Sequence, residues 1–306
     1  MNLWSFVTKL VLSLGLVTTN ISYIPIINML DDNSEVIIEK QVLNNYNIFP
    51  NKKDNKSLGV KINSTSAAVM DLNTNVILWK KNIKEIRSLA SITKLMTALV
   101  FLDTNFNWDT LITMKINDEV NGGTTHILRG ETVMVKDLFN VALISSDNNA
   151  INALVRSTGI DKEEYVYLMN KKAKELNLED TNFTDFTGLS DNNKSTAFDI
   201  LKLSKEAFSK EEIRNTTKKK IYNFRNYNGK FYEVFSTNKL LDSYLNVIAG
   251  KTGFTNAAGY CLVSEIEGNN GNNILTVVLN AESNSHRFQD LKILSGWVLE
   301  NYFWSS

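Results

Sequence analysis

The sequence predicts an α+β fold: an antiparallel sheet built from strands near both ends of the chain, with a mostly helical region inserted between them. Three observations point there. SAAVMDL and NVILWKK are short apolar runs around an Asn/Thr turn, a hairpin signal early in the chain. Helical periodicity dominates the middle. Past residue 220 the period returns to two, in IYNFRNY and KFYEVFS around Asn228-Gly229, then in GYCLVSEIE and NNILTVVLNAE around a Gly/Asn turn. Elements at both ends with helices between them suit one sheet and one inserted region.

Taken in order, the first 30 residues stand apart. Lys9 precedes the apolar run LVLSLGLV, the shape of a secretory signal or an uncleaved signal anchor. No Ala occurs before Ala67, so an A-x-A cleavage site is missing, and cleavage against anchoring stays open. Ser13, Thr18, Thr19, Asn20, Ser22 and Asn28 make the segment a poor membrane span. A buried helix of the fold is the other reading. Residues 31–62 are rich in Asn, Asp and Lys without periodicity and read as a polar linker, leaving 63–306 as one catalytic-size domain. SLASITKLMTALVFLD then reads as a buried helix beginning near Ser91. Val135 to Ile144 is helical and helix resumes at Asn149. DKEEYVYLMNKKAKELNL places Tyr165, Leu168, Met169, Ala173 and Leu176 at helical spacing behind a candidate cap, Asp161. STAFDILKLSKEAF is capped by Ser195 or Thr196. HRFQDLKILSGWVLENYFW closes the chain as an amphipathic helix, and no internal repeat is visible.

Composition excludes several functions. Thirty-three Lys+Arg balance 33 Asp+Glu, without the basic excess of a dedicated nucleic-acid binder. One cysteine excludes an intrachain disulfide framework and a Cys-rich zinc site. The two histidines, His126 and His286, lie 160 residues apart with no H-x-x-x-H pairing, so they read as ordinary polar or capping residues and no metal or other cofactor is expected. Cys261 falls in a predicted strand and reads as a buried apolar residue. Catalysis, if any, runs without a histidine base.

Three runs carry candidate chemistry. In Ser91-Ile92-Thr93-Lys94 the first and last residues share a helix face. A serine needs a base, and a lysine serves if burial or nearby positive charge lowers its pKa. Alone, the run reads better as a capping serine with a solvated lysine, but the apolar residues after Lys94 argue for a buried helix. Ser146-Asp147-Asn148 reads as a polar break between helices, or as a hydroxyl and a carboxamide at the lip of a cleft. Lys251-Thr252-Gly253, with Phe254-Thr255, reads as a turn, or as an anion site suited to a carboxylate with Gly253 allowing close backbone approach. A phosphate loop fails because the Gly it requires is Leu245. The runs are 55 and 105 residues apart, and their co-occurrence in this order is far more specific than any one of them.

With its S-x-x-K, S-x-N and K-T-G runs, the chain from about Ser64 to Trp304 resembles the serine D-Ala-D-Ala carboxypeptidases, the low-molecular-weight penicillin-binding proteins with a β-lactamase-like fold. RSLASITKLMTALVFLD, LRGETVMVKDLFNVALISSDNNA, MNKKAKELNLEDTNFTDFTGLS, STAFDILKLS, STNKLL and AGKTGFTNAAGYCLV follow in family order. The resemblance implies that Ser91 attacks the D-Ala-D-Ala carbonyl of a peptidoglycan stem peptide, with Lys94 as base and an acyl-enzyme as intermediate. It implies that Ser146 relays a proton to the departing D-alanine and Lys251 tunes the field. Asn148 would hold the substrate backbone, Thr252 and Thr255 its carboxylate, and the N–H groups of Ser91 and Phe254, beside Gly253, the oxyanion. β-Lactams would acylate the same serine. The resemblance also implies export to the cell envelope, with any membrane contact N-terminal because the chain ends at the catalytic domain's last helix. Two features depart from or narrow the pattern: Asn149 stands where relatives often carry Asp, and the short form also resembles D,D-endopeptidases. A class A β-lactamase is disfavoured because its deacylating Glu would be Ala173. A catalytically silent wall-binding relative is disfavoured by intact Ser91, Lys94, Ser146 and Lys251.

Overall fold

The computed structural model describes residues 49–305 except 121, 124, 269 and 270. The expected export segment over 1–30, and the first part of the linker, lie outside the described residues. The central sheet has five antiparallel strands, β2 (Ser66–Asp71), β3 (Ile77–Lys81), β10 (Asn246–Thr255), β11 (Gly259–Glu267) and β12 (Asn273–Ala281), in the order β10-β11-β12-β2-β3. Both chain ends therefore contribute, as the α+β reading expects. Every residue of β2 is buried, because both sheet faces are covered. Ala67 and Val69 join Leu262, Ile274 and Val278 under α7 (Asn284–Asn301), which supplies Phe288, Leu291, Leu294 and Val298. Ala68 and Met70 point the other way, into the core shared with the helical region.

That region holds α1 (Thr93–Leu102), α2 (Val135–Ile144), α3 (Asn148–Ser157), α4 (Lys162–Glu175), α5 (Ala197–Ser209) and α6 (Glu211–Thr217). Helix α1 is buried from Thr93 to Phe101 and follows a 3₁₀ turn, Ala90–Ile92, so Ser91 precedes the α-helix proper. Side-chain caps set the starts of α3, α4 and α5: Asp147 accepts from Ala150 N, Asp161 from Glu164 N and Thr196 from Asp199 N. Two-stranded ribbons complete the body: β1 (Pro50–Lys52) with β13 (Tyr302–Trp304), β4 (Arg87–Ser88) with β7 (Lys194–Ser195), β5 (Leu111–Thr113) with β6 (Thr132–Met134), and β8 (Ile221–Arg225) with β9 (Phe231–Phe235).

Two expectations change. The closing helix ends at Asn301 and the chain continues as β13. That strand pairs with β1, inside the stretch expected to be linker: Pro50 opposes Trp304 and Lys52 opposes Tyr302. Trp297 Nε1 donates to Ser57 Oγ and Ile62 is buried, so the chain is docked from residue 50 rather than ordered only from about residue 63. Backbone pairing with a strand 250 residues away holds a segment that has no apolar periodicity of its own.

Candidate active site

Helix α1, the α2–α3 junction and β10 bring the three sequence runs together. Lys94 is fully buried, and its Nζ lies 3.0 Å from Ser91 Oγ, 2.7 Å from Asn148 Oδ1 and 2.7 Å from the Thr187 carbonyl. The last two atoms can only accept. A neutral amine has two hydrogens and one lone pair, so filling those acceptors leaves the lone pair for the Ser91 hydroxyl. Burial brings Lys94 down to about 7, against the opposing pull of Asp147 and Asp185. The neutral form that a base requires is thus well populated near neutrality.

Lys251 is buried on β10. Its Nζ donates to Ser146 Oγ at 2.8 Å and to the Thr252 carbonyl at 3.0 Å. Burial first, then the positive charges of Lys94 and Arg287, push its pKa well below the usual lysine value. Ser146 has φ +65, a left-handed conformation unusual for a non-glycine residue, between α2 and the cap of α3. The Thr252 hydroxyl lies 2.6 Å from that of Thr237, in the S-T-N run.

Two glycines let backbones meet here. A Cβ on Gly253 would sit 3.1 Å from Ser91 N and 3.0 Å from Leu89 O, so β10 and the Ser91 turn are in close apposition. A Cβ on Gly188, whose φ is +88, would sit 2.1 Å from Ala90 O, and Ala90 itself has φ +47. Gly188 therefore makes room for the backbone that presents Ser91. Asp185 holds this turn by accepting from the N–H groups of Thr187, Gly188 and Ser190. The side chain of Phe254 is 48% exposed and stacks on Tyr260 at 4.2 Å. Thr255 is less engaged with the cluster than expected: its hydroxyl accepts from Ala258 N in the β10–β11 turn.

These contacts make two Ser–Lys pairs, Ser91 with Lys94 and Ser146 with Lys251, linked through the S-D-N run by the Lys94–Asn148 hydrogen bond, with a glycine-bearing strand against the Ser91 turn. The D-alanyl-D-alanine carboxypeptidase model of serine peptidases matches residues 51–283. The chain belongs to that family. Among its relatives, the D-alanyl-D-alanine endopeptidase of Escherichia coli is 35% identical over 246 residues, 78% of each chain. The D-alanyl-D-alanine carboxypeptidase DacF of Bacillus subtilis is 31% identical over 243 residues, 78% of this chain and 62% of its own. A C98A mutant of the Streptomyces K15 DD-transpeptidase superposes with a TM-score of 0.75 at 27% identity, covering 79% of this chain and 99% of that one. The fold is that of the penicillin-binding proteins.

Several contacts around the S-D-N run were not legible from sequence, and Asp118, Asn152 and Arg156 were not singled out there. Asp147, the middle of the S-D-N run, accepts from the backbone N–H of His126 at 2.7 Å and lies 3.1 Å from its ring Nδ1. Asn148 Nδ2 donates to Gly122 O. Asn149 Oδ1 accepts from Val120 N, while its Nδ2 donates to Thr125 Oγ1. Arg156 is bidentate to Asp118, and Asn152 donates to the Asp118 carbonyl. Helix α3 and its cap thus hold Asp118, Val120, Gly122, Thr125 and His126. Asn149 belongs to that grip, and a carboxylate there would keep both contacts by accepting from the Thr125 hydroxyl. Only the S-D-N run itself hinted at this. Cys261 is buried in β11 with its thiol pushed up to about 11 by burial, as a packing residue. Among the described residues, no cluster of His, Cys, Asp or Glu fits a metal ion, and no helix is long and apolar enough to cross a membrane.

Proposed function

We propose that this chain cleaves the bond after D-Ala in peptidoglycan stem peptides, as a serine D-Ala-D-Ala carboxypeptidase working through an acyl-enzyme on Ser91. The observation that carries the assignment is the Lys94 amine, whose two obligate acceptors, Asn148 Oδ1 and Thr187 O, leave its lone pair to Ser91. Lys94 takes the Ser91 proton as Oγ bonds to the substrate carbonyl carbon. The Ser91 and Phe254 N–H groups hold the oxyanion. As the C–N bond breaks, Ser146, with Lys251 hydrogen-bonded to it at 2.8 Å, passes its proton to the departing amine and takes in turn the proton that Lys94 removed from Ser91. Water then frees the shortened peptide and returns a proton to Ser91. Asn148 holds the substrate backbone, and Thr252 and Thr255 receive its carboxylate. β-Lactams acylate Ser91 in place of substrate; a penicillin-binding protein D2 of Listeria monocytogenes in its cefotaxime-bound form superposes on this chain with a TM-score of 0.70 at 28% identity. The substrate places the enzyme in the cell envelope, delivered by the apolar N-terminal segment.

A second reading, D,D-endopeptidase, is favoured by a specific observation. Three relatives at 34–35% identity, from Escherichia coli, Pseudomonas aeruginosa and Haemophilus influenzae, are named D-alanyl-D-alanine endopeptidases. Both activities present a D-Ala carbonyl to the same serine. Digestion of purified muropeptides with mass detection tests them together. Loss of one D-Ala from monomers supports the carboxypeptidase and splitting of cross-linked dimers the endopeptidase; neither product would overturn the proposal.

A further inference from the structure

Arg287, in the first turns of α7, is only 7% exposed, and no carboxylate is among its partners. Its guanidinium lies 5.4 Å from the Tyr260 ring centre and 4.8 Å from that of Phe288. Burial lowers it to about 10, with Cys261 and Tyr260 pulling the other way. Its Nε has no partner. An uncompensated buried cation is costly, and a packing role would be filled at less cost by an apolar side chain.

What the charge does is visible at the sheet. Nη1 donates to the Gly253 carbonyl at 2.9 Å, with the Cys261 carbonyl next nearest at 3.5 Å. The Gly253 carbonyl and the Phe254 N–H belong to one peptide unit. In a trans peptide they point to opposite sides, and drawing electron density to the oxygen makes the N–H a stronger donor. β10 is the end strand of the sheet, paired with β11 on one side only, and the Ser91 turn lies against Gly253 where a side chain would stand. We infer that Arg287 is a positioning residue for the oxyanion hole: it grips and polarises the Gly253–Phe254 peptide from behind the sheet, so that the Phe254 N–H is aimed and charged for the oxyanion held beside Ser91. Arg287 touches neither substrate nor Ser91, and a reading of α7 as a covering helix leaves its charge without a purpose. The inference rests on the Ser91 acyl-enzyme proposed above.

Infrared difference spectroscopy of the acyl-enzyme formed with carbonyl-¹³C-labelled penicillin reads the hole directly, because the acyl C=O stretch falls as hydrogen bonds to it strengthen. In Arg287→Gln the band should move to higher wavenumber and acylation should slow about tenfold, a fraction of the loss from deleting a whole oxyanion donor. Arg287→Lys, which keeps the charge, should lie between the two. If the Gln variant does not fold, the Lys variant is read against wild type in the same way, and a band at the wild-type wavenumber overturns the inference. A band unmoved in both variants overturns it whatever the rates. The absence of any acyl band in wild-type protein would instead overturn the acyl-enzyme proposal.

Discussion

The pH at which Ser91 becomes reactive follows from the burial of Lys94. A lysine at about 7 is neutral in about a tenth of molecules at pH 6 and about nine tenths at pH 8. If the neutral amine takes the Ser91 proton, the acylation rate rises about tenfold over that interval and levels off above it. The perturbation that isolates the cause is Asp147→Asn. The Asp147 carboxylate favours the charged lysine, so its removal lowers the Lys94 pKa further and moves the rise to more acid pH. Asp147 also caps α3 and accepts from His126, so the plateau of the variant is expected to fall. The midpoint of the rise is independent of the plateau. Stopped-flow acylation by a fluorescent penicillin between pH 5 and about pH 9 gives both. A wild-type profile with no group titrating below pH 9, or a midpoint in the variant that stays or moves up, would refute the Lys94 base and the electrostatic account of its pKa.

Two further substitutions test how the site is held. Gly188→Ala puts a methyl group 2.1 Å from Ala90 O at φ +88; left-handed strain and overpacking together should cost about 2–5 kcal/mol in urea unfolding and slow acylation. A loss below about 1 kcal/mol would mean that Ala90 yields easily. Asn149→Leu leaves Val120 N without its acceptor and frees Thr125, and should lower stability by about 1–3 kcal/mol, whereas Asn149→Asp should stay within about 1 kcal/mol of wild type. Thermal melts of the two side by side check this, and an Asp variant as unstable as the Leu variant would contradict it.

The central sheet was legible where β2, β11 and β12 are apolar enough to be buried; β10 was not, because its K-T-G run reads as a turn, and the Asn228-Gly229 hairpin, though legible, forms the separate β8–β9 ribbon. The three motifs were legible because each is a short run with fixed chemistry. What sequence did not reveal depends on partners far along the chain. The second acceptor that orients Lys94 is a backbone carbonyl, that of Thr187, and a carbonyl has no residue signature. Arg287 sits in HRFQDLK, where an arginine in an amphipathic helix looks solvated; only the packing of α7 against β11 and β12 buries it. β1 is polar and is held by backbone pairing to β13, so composition alone made it linker. The exchange of Asp for Asn149 became intelligible only with Val120 and Thr125 beside it.

The central claim is that Ser91 is the nucleophile and Lys94 makes it one. Intact-mass spectrometry of the protein after exposure to penicillin, with peptide mapping of the adduct, tests it most directly. The expected result is one covalent adduct, mapped to Ser91, absent in Ser91→Ala and formed far more slowly in Lys94→Met at neutral pH. An adduct that persists in a folded Ser91→Ala variant, or maps to another residue, would contradict the account.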